Sequence, residues 1–339
     1  MKKMESASSI HIVLASDNYY FPYIYVAVKT LYKSNATVKN LIVHYIEQDV
    51  KKENLEHLKS LASQYNRDID IIKFNMPKEF DEVLPAYGAA SKTTYAKFWF
   101  ASMFPNEDRV LYLDPDVLVM DSLEDMYNTD FNGNLIAGVI ENLPWYHMQA
   151  SLLTSEDSYI NGGMVLCNLA EWRKEHLEEK ALIRLKDNSQ NLNYDQGILN
   201  EICKSRVLVL QPKFNALAEI FEFKSACKIM KRYGFTHYYT QAEIDEAVTR
   251  PVVIHFTGFL YGKPMSSKCT HPYTNYFQQT LASSPITYKL SDSDIDFKKK
   301  VRKFFLRYLP FFMYLELERF LDYRRGYLLE KKGNTCHKK

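Results

Sequence analysis

Between Ile10 and Phe74, three short apolar runs alternate with two amphipathic stretches, and this alternation constrains the fold more than any other feature of the sequence. Ile10–Ala15 (IHIVLA), Leu41–Ile46 (LIVHYI) and Ile69–Phe74 (IDIIKF) have the length and content of buried strands. Between the first two, Val26, Ala27, Thr30 and Leu31 recur at helical spacing. Between the second and third, Lys51–Gln64 sets Leu55, Leu58 and Leu61 on one side of a helix. Strand–helix–strand–helix–strand predicts an α/β fold with a parallel, doubly wound sheet. Such sheets collect ligands at the carboxyl ends of their strands.

The pattern continues with a helix over Thr93–Met103 and a strand over Val110–Leu113. That strand stops at Asp114-Pro115-Asp116 and resumes as Val117–Met120. Leu135–Ile140, Gly163–Asn168 and Val252–His255 read as further strands, and Glu178–Lys186 and Asp195–Cys203 as helices. With no internal repeat and no low-complexity linker, residues 1–285 are expected to form one domain and residues 286–339 a helical extension.

Several function classes are excluded or disfavoured. Glycine numbers only 11 of 339 residues, and neither G-x-G-x-x-G nor G-x-x-x-x-G-K-[ST] occurs, so a glycine-cradled phosphate site is not expected. The five cysteines are scattered and form no C-x-x-C pair, which argues against a disulfide framework or a zinc site and for a reducing compartment. No apolar core of signal-peptide length precedes Asp17, and no run approaches the ~18 apolar residues of a membrane span. A cytoplasmic protein is expected.

The net charge of +2 conceals an asymmetry. From Phe297 to Lys339 there are 13 Lys/Arg and 4 Asp/Glu, a balance of +9, so the remainder of the chain carries −7. Lys298, Lys299, Lys300, Arg302, Lys303 and Arg307 interleave with Phe304, Phe305, Leu306 and Leu309, a pattern suited to a helix lying on an anionic membrane surface. A helix packed on the body with a solvated basic face is the alternative. The acidic body disfavours nucleic acid as a partner.

Asp114 and Asp116 end a hydrophobic strand, and both reach one hard divalent cation only if the turn at Pro115 breaks strict alternation. The same tripeptide equally suits a solvated turn. His255 ends a late strand, followed by Thr257, Gly258 and, in Gly262-Lys263-Pro264, a lysine able to neutralise a diphosphate. Asp17 ends the first strand, facing the expected crevice or capping the next helix. Asn161-Gly162-Gly163 and Asp195-Gln196-Gly197 are polar clusters beside apolar segments.

In order and spacing, SDNYYFPYIYVAVKTL, SKTTYAKFWFASMF, RVLYLDPDVLVMDSLEDMYNTD, YINGGMVLCNLAEWRKE, NYDQGILN and VVIHFTG followed by GKP resemble the family 8 retaining glycosyltransferases, which include bacterial lipopolysaccharide galactosyl- and glucosyltransferases. The resemblance implies a GT-A fold, a Rossmann-like and mostly parallel sheet with a UDP-sugar and Mn²⁺ (or Mg²⁺) at its edge. It makes Asp114, Asp116 and His255 metal ligands. It makes Asp17, Tyr20, Lys97, Asn161, Gly258 and Lys263 the donor-binding set, and Asp195 and Gln196 the residues at the reacting sugar. The implied partners are UDP-galactose or UDP-glucose and a glycan or glycolipid acceptor, at the inner face of the cell membrane.

Four positions depart from the family pattern. Tyr19 stands where relatives often have Asn. Lys97 stands where they often have Arg, and an ammonium lacks the bidentate reach of a guanidinium. Gly197 follows Asp195-Gln196 where another Asp is usual, and GKPM replaces KPW. A non-catalytic sugar-nucleotide or glycan-binding module of the same fold is the rival reading; a metal-dependent phosphohydrolase lacks its usual larger carboxylate set. Gln196 is a poor nucleophile, which favours front-face attack by the acceptor over a covalent intermediate of the kind retaining hydrolases use.

Overall fold

The computed structural model describes residues 9–73, 75, 78, 92–154, 156–187, 194–292 and 296–336. Phe74 of the third expected strand, Ser91 and Asn193 of the quoted motifs, and the amino-terminal residues 1–8 lie outside them.

Seven strands form the main sheet in the order β3-β2-β1-β4-β7-β6-β8. They are β1 (Ile10–Asp17), β2 (Leu41–Gln48), β3 (Ile69–Lys73), β4 (Arg109–Leu113), β6 (Ile136–Ile140), β7 (Ile160–Asn168) and β8 (Val207–Val209). β1, β2, β3 and β4 are parallel, with Ile10 opposite Leu41 and Ile12 opposite Leu111. The sheet is mostly parallel, as expected; the exception is β7, which runs antiparallel to both β4 and β6 and sets Leu113 against Met164. Periodicity reports that a strand is buried on both faces; it does not report direction, because parallel and antiparallel pairing differ only in which distant strand is the neighbour.

A second sheet has the order β5-β10-β9, from β5 (Val117–Val119), β10 (Val253–His255) and β9 (Ala216–Leu217). The late strand ending at His255 therefore belongs to this small sheet and not to the main one. Helix Phe21–Ser34 holds the small sheet in place. It buries Ile24, Val28 and Leu31 and fixes β5 through its polar side chains. Val119 N donates to Thr30 Oγ1 (3.2 Å), and Ser34 Oγ donates to Val119 O (2.7 Å). Without those bonds the end of β5 would bury unpaired backbone groups.

Thr93–Met103 is not one helix. A 3-10 stretch covers Lys92–Trp99 and a single α-turn covers Phe100–Met103. Thr93, Tyr95, Ala96, Lys97 and Phe98 are all buried there, more faces than an amphipathic α-helix can bury on one side.

Helices Phe297–Tyr308 and Phe311–Cys336 end the described chain, and their inner sides pack on the body. Arg232, on helix Ala226–Tyr233, donates to Asp322 Oδ2 and Glu318 Oε2, each at 2.7 Å, and Arg302 donates to both oxygens of Glu318. Glu318 is fully buried and Asp322 nearly so. Among the described residues, no helix is long and apolar enough to cross a membrane.

Candidate active site

Asp114-Pro115-Asp116 is the hinge where the chain leaves the main sheet for the small one. Asp114 N donates to Gly163 O on β7 (2.7 Å), and Phe256 N, just past β10, donates to Asp116 O (3.0 Å). One aspartate is thus anchored to each sheet, and the break in alternation that convergence of both carboxylates required is supplied by the change of sheet. His255 enters from β10, opposite Val117.

The ligand atoms of Asp114, Asp116 and His255 lie within 4.8 Å of one another. His255 Nε2 is 3.3 Å from Asp116 Oδ1 and 3.7 Å from Asp114 Oδ2. Its Nδ1 faces Asn215 Oδ1 at 3.2 Å; with the proton on Nδ1, Nε2 would be left as the ligand atom for an ion between it and the carboxylates. Tyr112 OH donates to Asp114 Oδ1 (2.8 Å), fixing the more exposed carboxylate. Two carboxylates and a neutral imidazole suit Mn²⁺ well and Mg²⁺ less well.

The space for such an ion depends on Gly163. A Cβ there would meet His255 Cε1 at 2.3 Å and Asp114 Oδ2 at 2.4 Å. The backbone of β7 forms the floor under the three ligands.

Electrostatics point the same way. Burial would raise the Asp116 carboxyl, but Lys263 and His255 more than reverse this and hold it well below the ordinary range. His255 is lowered by burial and raised more strongly by Asp116 and Asp114, so its net shift is upward. Lys263 reaches Asp116 Oδ2 and also donates to Phe256 O (2.8 Å). The turn that brings it back has Gly258 at φ +90° and Gly262 at φ +82°, both in the region where side chains are strained. Gly258 O receives the N–H of Tyr261 and of Gly262, each at 2.9 Å.

Beside the triad lies a cavity of about 220 Å³, lined by Ala15, Ser16, Tyr20, Tyr112, Asp114, Asp116 and Lys263 among others. Tyr20 is thus part of the lining. Asp17 is close by in sequence, with one carboxylate oxygen taken by Tyr20 N (3.0 Å), the turn-capping role.

The remaining expected residues form a connected polar layer. Asn161 Oδ1 accepts from Asn215 Nδ2 (2.9 Å) and Gly163 N (3.0 Å), while Asn161 Nδ2 donates to Glu141 Oε2. Gln196 Oε1 accepts from Gly162 N (2.8 Å) and lies 3.4 Å from Asn161 Nδ2. Lys97 is almost completely buried, over the Tyr112 ring at 4.3 Å, with its Nζ on Asp195 Oδ2 and Gly162 O (2.9 Å). Burial raises the Asp195 carboxyl above its ordinary value, and Lys97 offsets only part of that. The lysine acts as a buried counter-ion that positions Asp195.

Three participants escaped the sequence reading, which also gave Gly163 only a place in a polar cluster. Tyr112 sits inside an apolar strand pattern, Asn215 ends the 3-10 turn Pro212–Asn215, and Glu219 lies on helix Ala218–Phe223. Glu219 is buried, one of its oxygens has no partner among the described residues, and burial, reinforced by Glu141, pushes its carboxyl up to about 8.

Residues 11–267 match the family model described as glycosyl transferase family 8. A putative glycosyltransferase of Haemophilus influenzae is 27% identical over 62% of the chain, but over only 64% of its own length, just under two thirds. The lipopolysaccharide 1,3-galactosyltransferase of Salmonella typhimurium is 26% identical over 73% of the chain and 70% of its own length. A lipopolysaccharide 1,2-glucosyltransferase of Escherichia coli is 27% identical over 89% and 84%. Among solved structures, the galactosyltransferase LgtC in complex with donor and acceptor sugar analogs superposes with a TM-score of 0.67 at 24% identity, covering 82% of this chain and 98% of that one. That likeness establishes the GT-A type of fold.

Proposed function

The chain belongs to glycosyl transferase family 8, and from that premise we propose that it is a retaining, metal-dependent hexosyltransferase that moves galactose or glucose from a UDP-sugar to a glycan or glycolipid acceptor such as lipopolysaccharide. The observation that carries the reading is the convergence of Asp114, Asp116 and His255 from two sheets onto one point beside a cleft. The names of the Salmonella and Escherichia relatives support the hexose and the acceptor class.

A Mn²⁺ ion held by Asp114, Asp116 and His255 would offset the charge that develops on the departing diphosphate. Lys263 adds a cation to the same charge: its side chain is about half exposed, and in exchanging Asp116 for a phosphate oxygen it stabilises the leaving group more than the bound donor. Tyr20, in the cleft lining, and Asp17, which caps the turn beside it, would take the base and ribose. Asn161 and Asp195 hold the sugar, and Gln196 presents an amide near its reacting carbon. Gln196 Oε1 is already engaged by Gly162 N, and Asp195 is paired with Lys97. An amide is a poor nucleophile and the Asp195 carboxylate is drawn toward Lys97, which favours attack of the acceptor on the face that the diphosphate leaves. Its hydroxyl proton then passes to the leaving phosphate. A trapped glycosyl-enzyme adduct would overturn this mechanism.

We propose in addition that residues 286–339 hold the enzyme on the anionic inner face of the cell membrane, on the cytoplasmic side. The outer faces of the two terminal helices carry exposed Phe304, Tyr308, Phe312 and Phe320 beside exposed Lys298 and Arg307.

The test is UDP release with Mn²⁺, with and without EDTA, from UDP-galactose, UDP-glucose and their N-acetylhexosamine counterparts, beside Asp116→Asn. Release from one donor that needs the metal and is lost in the variant supports the proposal and names the sugar. UDP-sugar binding without release from any donor, even with lipid-linked acceptors present, favours the non-catalytic binding module.

A further inference from the structure

A cavity of about 410 Å³ is distinct from the donor cleft. It lies between the segment around Trp145–Tyr159 and the loop Tyr233–Tyr239, and its size falls in the ~300–1,000 Å³ range of small-ligand sites. Phe235 and Tyr238 stack in parallel in its wall, centroids 5.3 Å apart and planes within 5°. Trp145 is 44% exposed, yet its indole is held in place by Gly326 of the last helix, where a Cβ would meet Cζ2 at 2.7 Å. Aromatic faces fixed in orientation and open to solvent suit the apolar C–H face of a pyranose ring.

Two wall residues tie this cavity to the reaction centre. Tyr159 lines it, while its hydroxyl lies 3.5 Å from Gln196 Nε2. Tyr238 lines it, while its hydroxyl donates to Asn142 Oδ1 (2.9 Å), beside Glu141. Asn142 itself lies behind the wall, buried, and its Nδ2 has no partner among the described residues, an uncommon state for a buried amide. The lining carries Glu156 and Asp157 and, among the described residues, no lysine or arginine; Lys204 offsets Asp157 from outside the lining (3.3 Å), leaving Glu156 to disfavour phosphorylated or carboxylated sugars.

We propose that this cavity is an acceptor subsite for an uncharged sugar unit adjoining the one that is glycosylated, so that the enzyme recognises an oligosaccharide rather than a single sugar. The inference rests on the transferase reading above. Acceptors are a set of uncharged di- and trisaccharides, including dephosphorylated lipopolysaccharide core oligosaccharide, and the methyl glycosides of their terminal sugars. KM is measured for each in the wild type, Trp145→Ala and Phe235→Ala.

The expected result is a wild-type KM at least tenfold lower for one oligosaccharide than for its terminal methyl glycoside. In each variant the ratio of the two should rise toward unity, an effect of about tenfold for about 1.4 kcal/mol of lost contact. Because the readout is a ratio within each variant, a general loss of activity does not mimic it. A wild type without preference for any oligosaccharide, or a ratio unchanged in both variants, overturns the proposal. Acceptor-independent hydrolysis of the UDP-sugar is followed in the wild type alongside. Its presence with an unchanged ratio sinks the subsite alone, whereas absence of both hydrolysis and transfer sinks the transferase reading itself.

Discussion

Gly163 presses its bare Cα against the imidazole of His255, so that an added methyl would stand 2.3 Å from Cε1. No positive φ is involved; the requirement is for space. Gly163→Ala should displace both His255 and Asp114, lowering Mn²⁺ affinity by at least the 10–100-fold typical of a disturbed ligand shell. Gly162→Ala is the contrast, because its methyl meets Gln196 Cβ at 3.0 Å and no metal ligand. Titrating Mn²⁺ by electron paramagnetic resonance should show the loss in the first variant and near-normal affinity in the second. Equal affinities in both would mean that the floor of β7 yields easily.

The contrast between these glycines explains how far the sequence could be read. Asp114, Asp116 and His255 were legible because they end apolar runs, where a polar side chain has a specific place to point. The strands and helices flanking the site were legible for the same reason of periodicity. The packing of Gly163 against Asp114 and His255 was not, because those neighbours come from the end of β4 and from β10, far away in sequence. Asn215 was hidden likewise: its importance lies in bonding His255, 40 positions away. The antiparallel course of β7 and the 3-10 form of Lys92–Trp99 were settled by tertiary partners, against local preference.

Glu219 sets a pH dependence of stability. Its carboxyl is pushed from 4.5 to about 8 by burial and by Glu141. Between those values the folded protein keeps a proton that the unfolded chain has lost. Its contribution is full below about pH 4.5 and disappears as pH rises through about 8. Glu219→Gln, always neutral, should melt higher than the wild type at pH 8–9, with the gap closing toward pH 5. Differencing the two proteins removes the opposing effect of His271, whose imidazole burial lowers to about 4. Parallel melting curves across this range would show that Glu219 is hydrated and titrates normally.

Arg232 joins the body to the last helix through Glu318 and Asp322, with the arginine and Glu318 side chains almost wholly buried. Replacing one partner of a buried ion pair leaves the other charge uncompensated, at a cost of roughly 3–5 kcal/mol. Arg232→Met should therefore lower the melting temperature and open the segment after Ser291 to limited proteolysis. Glu318→Gln should cost a comparable amount, because both Arg302 and Arg232 lose their shared anion and the amide NH2 cannot accept from either. If Arg232→Met leaves the terminal helices as protease-resistant as before, their apolar contacts hold them without the ion cluster.

The clamp decides which face of the terminal helices remains free. Tyr314, Leu315, Glu318 and Asp322 turn inward, leaving Phe304, Tyr308, Phe312, Phe320 and Tyr323 exposed with Lys298, Arg307 and Arg319. In water these rings expose apolar surface at a cost, and against an anionic bilayer they bury it while each basic group gains about 1 kcal/mol. The protein should float with vesicles of phosphatidylglycerol mixed into phosphatidylcholine and remain behind with pure phosphatidylcholine. Binding should weaken as salt shortens the screening length from about 10 Å at 0.1 M to about 3 Å at 1 M. Phe304→Ser with Phe312→Ser should weaken it at every salt concentration, whereas Lys298→Glu with Arg307→Glu should abolish mainly the low-salt component. Flotation that ignores both lipid charge and these substitutions would leave the tail as packing alone, its basic face merely solvated.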